Sequence, residues 1–217
     1  MPWLPLFPLT SVLFPGGTLP LHIFEERYRR MVAECIDGES AFGVVLIRSG
    51  AEVGDYAEPH NVGTTARILR ADRLPDGRLN IVTVGVDRFR IVRTDRSLPY
   101  LQGEVEYLSR SHKDTDAARS AAELVRELFS AFYRQTLILA DQWTSRVPMP
   151  RDPARLVDFV AARLDIDLQV KQKLLETDDV QECLDLEARL LRGTVEVLEG
   201  QVHQKQRAPF VDQWRLN

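Results

Sequence analysis

The hydrophobic pattern of the chain changes near its middle. From Leu4 to about Ser109 the apolar residues come in short runs separated by Pro and Gly, a pattern typical of β-strands. From Asp114 onward they recur at the three- to four-residue spacing of amphipathic helices. The predicted strands are Leu4–Leu9, Leu19–Ile23, Phe42–Arg48, Thr64–Asp72, Arg78–Val84, Phe89–Thr94 and Leu101–Leu108.

Two local features organise the β-rich part. Leu74-Pro75-Asp76-Gly77 combines a proline, which fixes the first turn residue, with a glycine, which tolerates positive φ, so we predict a hairpin there. One helix interrupts the strands from about Glu25 to Ile36. Its predicted apolar face is Phe24, Tyr28, Met31, Val32 and Cys35. We therefore predict a small β-barrel with one helix that plugs an open end.

Capping residues mark the predicted helices of the second part. Asp114 or Thr115 precedes the first long helix, and Asp152-Pro153 is an N-cap followed by an N1 proline that opens a helix through Leu164. Asp167 can cap a short helix to Glu176, and Asp178 or Asp179 a last long one. The connections are short, which predicts antiparallel neighbours in a small bundle.

These patterns predict an α+β protein divided into a β-barrel lobe at 1–110, a helical bundle lobe at 111–206 and an apolar C-terminal tail at 207–217. The tail carries Phe210, Val211 and Trp214, so we expect it to dock, in cis or in trans.

Composition narrows the class of protein. The formal net charge of −4 gives no overall attraction to a phosphate backbone, so nucleic acid is a secondary hypothesis. The longest apolar stretch, Pro2 to Leu13, is interrupted by prolines and fits neither a secretory signal nor a membrane span. Cys35 and Cys183 lie far apart, without metal or redox spacing. We expect a cytoplasmic protein with no membrane association, no metal and no cofactor.

No motif for catalysis stands out. The sequence has no Gly-Lys dipeptide for a phosphate-binding loop and no G-x-S-x-G elbow, and its four histidines lie in unrelated segments. His22, just before Phe24-Glu25, is a candidate for a catalytic base, yet a hydrogen bond to a backbone carbonyl at the strand end is the better interpretation. Trp3, Trp143 and Trp214 are too far apart in sequence to predict an aromatic cage for a small ligand. We predict that the chain is not an enzyme.

Nearly the whole chain resembles a known family. The chain begins with the segments Leu4-Pro5-Leu6-Phe7-Pro8-Leu9, Phe14-Pro15-Gly16, and Leu21-His22-Ile23-Phe24-Glu25 with Arg27-Tyr28. These segments are similar to the opening of the N-terminal domain of Lon proteases. The resemblance continues in the family's order through five further segments: Phe42-Gly43-Val44-Val45, the Leu74–Arg78 hairpin, Gly85-x-x-Arg88-Phe89, Pro99-Tyr100-Leu101 and Gln172–Thr177.

The resemblance implies a PUA-like β-barrel followed by a helical bundle, here as a stand-alone relative without the ATPase or the peptidase. It also implies a function in recognising unfolded or exposed hydrophobic polypeptide, as an adaptor for a separate protease or chaperone. An extended chain can pair with an exposed strand edge while apolar pockets accept its side chains. The candidate binding residues are Phe7, Phe14, Leu19, Phe24 and Tyr28.

The alternative is RNA binding by the barrel. PUA-like folds often bind RNA, and arginines crowd one strand region at Arg88, Arg90, Arg93 and Arg96. Alternation along an unbroken strand places Arg88 and Arg90 on one face and Arg93 on the other, which argues partly against a continuous basic surface. The sequence leaves the bound partner, the binding surface and the oligomeric state open.

Overall fold

The computed structural model describes residues 1–51, 57–142 and 147–212, with side chains up to residue 206. It confirms the α+β class. The strands are β1 (Trp3–Leu9), β2 (Thr18–Ile23), β3 (Phe42–Ser49), β4 (Glu58–Arg73), β5 (Leu79–Asp95) and β6 (Gln102–Leu108), and the helices are α1 (Glu26–Asp37), α2 (Asp116–Leu139), α3 (Pro153–Ala161), α4 (Leu168–Glu176) and α5 (Val180–Asp212).

The chain divides into two units. Unit 1 contains Met1–Arg110 together with Ala161–Asp178, and unit 2 contains Ser111–Val160 together with Asp179–Asn217. The predicted division instead assigned all of 111–206 to the bundle lobe and 207–217 to a separate tail. A contact between distant residues joins α4 to unit 1: the buried side-chain amide of Gln172 donates to the carbonyl of Val62 in β4 at 3.0 Å.

In unit 1 the strand pairings close into a ring. β5 pairs with β4, β4 with β3, β3 with β1 in parallel, β1 with β6, and β6 again with β5. β2 pairs with the first half of β5. The predicted hairpin is present between β4 and β5, with Gly77 at φ +82° and its amide donating to the carbonyl of Leu74 at 3.0 Å.

One predicted break in the sheet is wrong. The two strands predicted at Arg78–Val84 and Phe89–Thr94 form the single strand β5, because a bulge near Gly85 keeps the pairing with β4. A Cβ on Gly85 would lie 2.3 Å from the carbonyl oxygen of Phe14, so only glycine allows the 14–17 loop to approach the strand this closely. Gly16 and Gly17 then exchange backbone hydrogen bonds with Gly85 at 2.8 and 2.9 Å.

Two clusters of buried apolar side chains fill unit 1. The larger one joins β1, β2, β3 and the hairpin strands to α1 through Tyr28, Met31, Val32 and Cys35, as predicted for the plug helix. Phe24, which the prediction placed on the same face, is instead 48% exposed, because it lies before the first helical turn. The smaller cluster includes Leu6, Val45, Phe89 and Val105.

In unit 2, α2 packs against α5. Phe129 of α2 is fully buried and meets Phe159 of α3 edge-on, with ring centroids 5.7 Å apart. The predicted caps are present: the side chains of Thr115 and Asp179 accept hydrogen bonds from the amides of Ala118 and Glu182. α3 ends at Ala161 rather than at the predicted Leu164. The predicted docking of the 207–217 tail, with Phe210 and Trp214, lies outside the described side chains, and Trp143 is also outside the described residues.

Candidate functional site

An apolar pocket of about 130 Å³ lies where β2 ends and α1 begins. Phe7 and Leu9 of β1 and Tyr28 of α1 line it together with the segment 20–25. For scale, an engineered apolar cavity of about 150 Å³ binds benzene, so this pocket has the size for one apolar side chain. The pocket brings together three of the five predicted binding residues, Phe7, Phe24 and Tyr28.

Two stacked rings form a fixed wall of the pocket. The rings of Phe7 and Tyr28 lie with their centroids 4.0 Å apart and their planes at 25°. The guanidinium of Arg27 stands over the Tyr28 ring, 4.6 Å from its centroid, and pairs with Glu25 at 3.0 Å. Because both rings are buried and held from two sides, this wall is in place before any ligand arrives.

The rim of the pocket is aromatic and exposed. The rings of Phe24 and His22 stack with centroids 6.2 Å apart. Nε2 of His22 accepts a hydrogen bond from the guanidinium of Arg78 at 3.3 Å, because a guanidinium can only donate. Nδ1 of His22 therefore carries the proton, and it donates a hydrogen bond to Asn80 Oδ1 at 2.7 Å. Both partners of His22 are thus side chains, whereas the sequence suggested a backbone carbonyl.

The strand beside the pocket is an edge strand. Within the described residues, β2 pairs with β5 alone, and its other side carries no strand. Pro20 lies in the middle of β2, which fits an edge position because proline has no amide to donate to a second neighbour. The pocket therefore adjoins a strand edge whose backbone groups, apart from the missing amide of Pro20, have no strand partner within the described residues.

The other two predicted binding residues lie elsewhere. Phe14 is 1% exposed and belongs to the core. Leu19 is partly buried and packs against the larger apolar cluster, and its carbonyl accepts a hydrogen bond from Thr83 at 2.9 Å. Neither Phe14 nor Leu19 lines the pocket. Both pack inside unit 1 and contribute to its stability.

Polar contacts on the opposite side of α1 hold this helix in place. The buried Tyr100 donates to the carboxylate of Glu34, which also accepts from Arg30 Nε at 2.8 Å. The pKa of Tyr100 is raised to about 12. Burial is the largest cause of this increase, and the hydrogen bond to Glu34 is the second. The hydrogen bonds from Arg30 and Tyr100 lower the pKa of Glu34. Burial raises the pKa of the neighbouring Cys35 thiol, which keeps it protonated and unreactive near neutral pH.

Arg88, the first of the predicted RNA-binding arginines, is a buried structural residue. Its side chain is 3% exposed and donates to the carbonyls of Leu175 and Thr177 at 2.6 and 3.1 Å and to the carboxylate of Asp178 at 2.6 Å. Arg110 donates to the same Thr177 carbonyl at 2.8 Å. These cations satisfy carbonyls that the end of α4 leaves without a helical partner.

The remaining arginines do not form one basic surface. Arg93 pairs with Glu104 at 2.6 Å, and its guanidinium lies 5.2 Å from the centroid of the Trp3 ring. Arg90 is exposed and lies directly across from Glu106 in the register of β5 and β6. Arg96 is exposed beyond the end of the strand. The pairings of β5 also contain three register shifts, two with β4 and one with β6, so the alternation expected of an unbroken strand does not hold.

Sequence reasoning missed several of these residues. Leu9, Leu21 and Ile23 line the pocket but appear in the sequence as ordinary strand residues. The burial of Arg88 was also missed, although Gly85 three residues earlier signals a bulge, and a bulge changes which side chains face inward.

Unit 1 is a closed β-sheet domain with a plug helix, and unit 2 is helical. The chain belongs to the family of the ATP-dependent protease La (LON) substrate-binding domain, whose model matches residues 3–193. This confirms the resemblance found in the sequence.

The relatives place the match within longer proteins. The chain is 29% identical over 199 residues to a Lon protease of Anaeromyxobacter dehalogenans and 30% identical over 210 residues to Lon protease 2 of Myxococcus xanthus. In both alignments the match covers 90% of this chain but spans 24% of the relative. The curated relatives are thus about four times longer than the part they share with this chain.

Solved structures show the same fold. A Lon N-terminal domain protein from Xanthomonas campestris has a TM-score of 0.63 and 30% identity, covering 86% of this chain and 96% of that one. The N-terminal domain of a Mycobacterium avium complex Lon protease has a TM-score of 0.66, with coverages of 90% and 98%, and at 20% identity it supports the fold alone. Of the helices in the described part of the chain, none combines the length and the apolar content needed to cross a bilayer.

Proposed function

We propose that the chain is a non-catalytic recognition module that binds unfolded or exposed hydrophobic polypeptide at β2 and the adjoining pocket. The observation that carries the proposal is the pocket itself: about 130 Å³ lined by Phe7, Phe24 and Tyr28, beside an edge strand. The family, described as a substrate-binding domain, supports the same function.

The arrangement accounts for binding with little sequence preference. Hydrogen bonds to the free side of β2 use only the backbone of the bound chain, which every polypeptide presents. The pocket has the volume for one apolar side chain, so it selects for hydrophobicity rather than for a particular sequence. Native proteins keep such side chains and backbone groups internal, which makes unfolded segments the preferred ligands.

In this proposal the module presents its bound polypeptide to a separate protease or chaperone. RNA binding has less support, because Arg88 is buried against α4 and Arg93 is paired with Glu104.

A titration with a reduced, unfolded model polypeptide tests the proposal. Phe24→Ser removes the exposed rim ring and should weaken binding about tenfold, which corresponds to about 1.4 kcal/mol. Val197→Ser is the matched control, since Val197 is 61% exposed on α5 and lies in unit 2. Equal affinities of the wild type and Phe24→Ser, or equal losses in the two variants, would refute the site, and absence of binding by the wild type would refute the function.

A further inference from the structure

A second cavity lies in unit 2, among the start of α2 and the segment that leads into α3. Its volume is about 350 Å³, near the lower end of the roughly 300–1,000 Å³ typical of small-molecule sites. Four cationic side chains line it, against two anionic ones. The charged lining residues are Lys113, Arg119, Arg126 and Arg151, with Asp114 and Glu123.

Arg126 is held rigidly at this cavity. Its Nη2 donates to the carbonyls of Pro150 and Arg151 at 3.1 and 2.7 Å, and its Nη1 donates to Glu123 at 2.7 Å. These contacts fix the guanidinium while its remaining N–H groups stay available, because a guanidinium has five donors. They also neutralise Glu123, one of the two carboxylates in the lining.

Lys113 and Arg151 supply positive charge without an internal partner. Both are exposed, and within the described residues neither side chain has a hydrogen bond or an ion pair. Arg119 donates to the backbone carbonyl of Asp114 at 2.6 Å and forms an ion pair with the carboxylate of Asp116 in the first turn of α2. Two of the four cations at this cavity, Lys113 and Arg151, thus have no carboxylate partner within the described residues.

Two helices begin beside this cavity, α2 at Asp116 and α3 at Pro153. Side-chain oxygens already cap both N-terminal ends, because Thr115 accepts from the amide of Ala118 and Asp152 from the amide of Arg155. The attraction for an anion therefore comes from the cationic side chains.

We propose that this cavity binds a small multivalent phosphate anion of the pyrophosphate type. Arg119 and Arg126 are paired with Asp116 and Glu123, and the two cations without a partner among the described residues, Lys113 and Arg151, favour a ligand with more than one negative charge. Tetrahedral phosphate oxygens match guanidinium donors in bidentate contacts. The carboxylates of Asp114 and Glu123 disfavour an extended nucleic-acid backbone, and the volume fits a compact anion. The proposal does not depend on polypeptide binding, since all its residues lie in unit 2.

Calorimetric titration of the full chain with sodium pyrophosphate, at low and at high salt, tests the site. Saturable binding that weakens with salt is expected, because the contacts are ionic. Arg151→Glu should reduce the affinity at least about tenfold, since it removes an unpaired cation and adds a repelling carboxylate. The matched control is Arg192→Glu, an equal charge reversal at an exposed position of α5 outside the cavity lining.

Backbone NMR of the same samples locates the site. The amide of Ser120, which lines the cavity, should shift in the wild type and not in Arg151→Glu. No saturable binding by the wild type, equal losses for Arg151→Glu and Arg192→Glu, or shifts confined to residues outside the cavity would each overturn the proposal.

Discussion

The aromatic pocket at β2 and the arginine-rich part of β5 lie in the same unit but differ in how the fold satisfies their side chains. Around β5, the polar groups are used internally: Arg88 binds the carbonyls that end α4, and Arg93 binds Glu104. Around β2, the ring of Phe24 is 48% exposed beside an unfilled pocket. A cluster of aromatic or arginine residues in a sequence therefore indicates a binding surface only where the fold leaves those side chains exposed and without partners inside the protein.

The largest expected effect is on stability, and it distinguishes Phe14 from Phe24, which were both predicted as binding residues. Phe14→Ala should lower the free energy of unfolding by about 3–5 kcal/mol, because it creates a cavity in the core. Phe24→Ala should change it by about 1 kcal/mol or less, because much of its ring is already in water. Urea unfolding followed by circular dichroism measures both. Similar losses in the two variants would contradict the assignment of Phe14 to the core and Phe24 to the surface.

The second effect tests the internal use of the arginines. Arg88→Ala should cost roughly 3 kcal/mol of unfolding free energy, because it leaves buried carbonyls of α4 without a donor. Arg90→Ala, two residues away on an exposed position, should cost about 0.5 kcal/mol or less. The same chemical denaturation experiment compares them. A stable Arg88→Ala protein that had lost RNA affinity would instead favour a nucleic-acid surface on β5.

A smaller effect concerns the helix that carries Tyr28. Tyr100→Phe removes the hydrogen bond to Glu34 and should lower the free energy of unfolding by about 1 kcal/mol near neutral pH. The pKa of Tyr100 is raised in the folded state from 10.0 to about 12, so its contribution is complete below pH 10 and is lost as the pH rises through 12.

Denaturation at several alkaline pH values should therefore show the wild type and Tyr100→Phe converging between pH 10 and pH 12. A constant difference over that interval would mean that the hydrogen bond from Tyr100 does not stabilise the protein.

Much of the fold was predictable because local chemistry determines it. The α1 helix was predicted at Glu25–Ile36 and lies at Glu26–Asp37, since its apolar spacing is regular and acidic residues begin it. The β4–β5 hairpin follows from Pro75 and Gly77, whose backbone preferences need no distant contact.

The errors arise where distant residues decide the outcome. The segment 161–178 joins unit 1 through the contacts of Gln172 and Arg88, which no periodicity reveals. Likewise, Phe14 and Phe24 are indistinguishable as aromatic residues in the sequence, and only the approach of the 14–17 loop to Gly85 shows which of them is buried.

NMR mapping of the isotope-labelled chain, titrated with an unfolded polypeptide, tests the central claim most directly. If the claim is correct, the amides of β2, where Pro20 has none, and of Phe24 shift most, and the β2 amides that face away from β5 gain protection from hydrogen exchange, because the bound chain pairs with the free side of β2. If the largest changes instead lie at Arg90–Arg96 or in unit 2, with β2 unaffected, polypeptide binding at the pocket is contradicted.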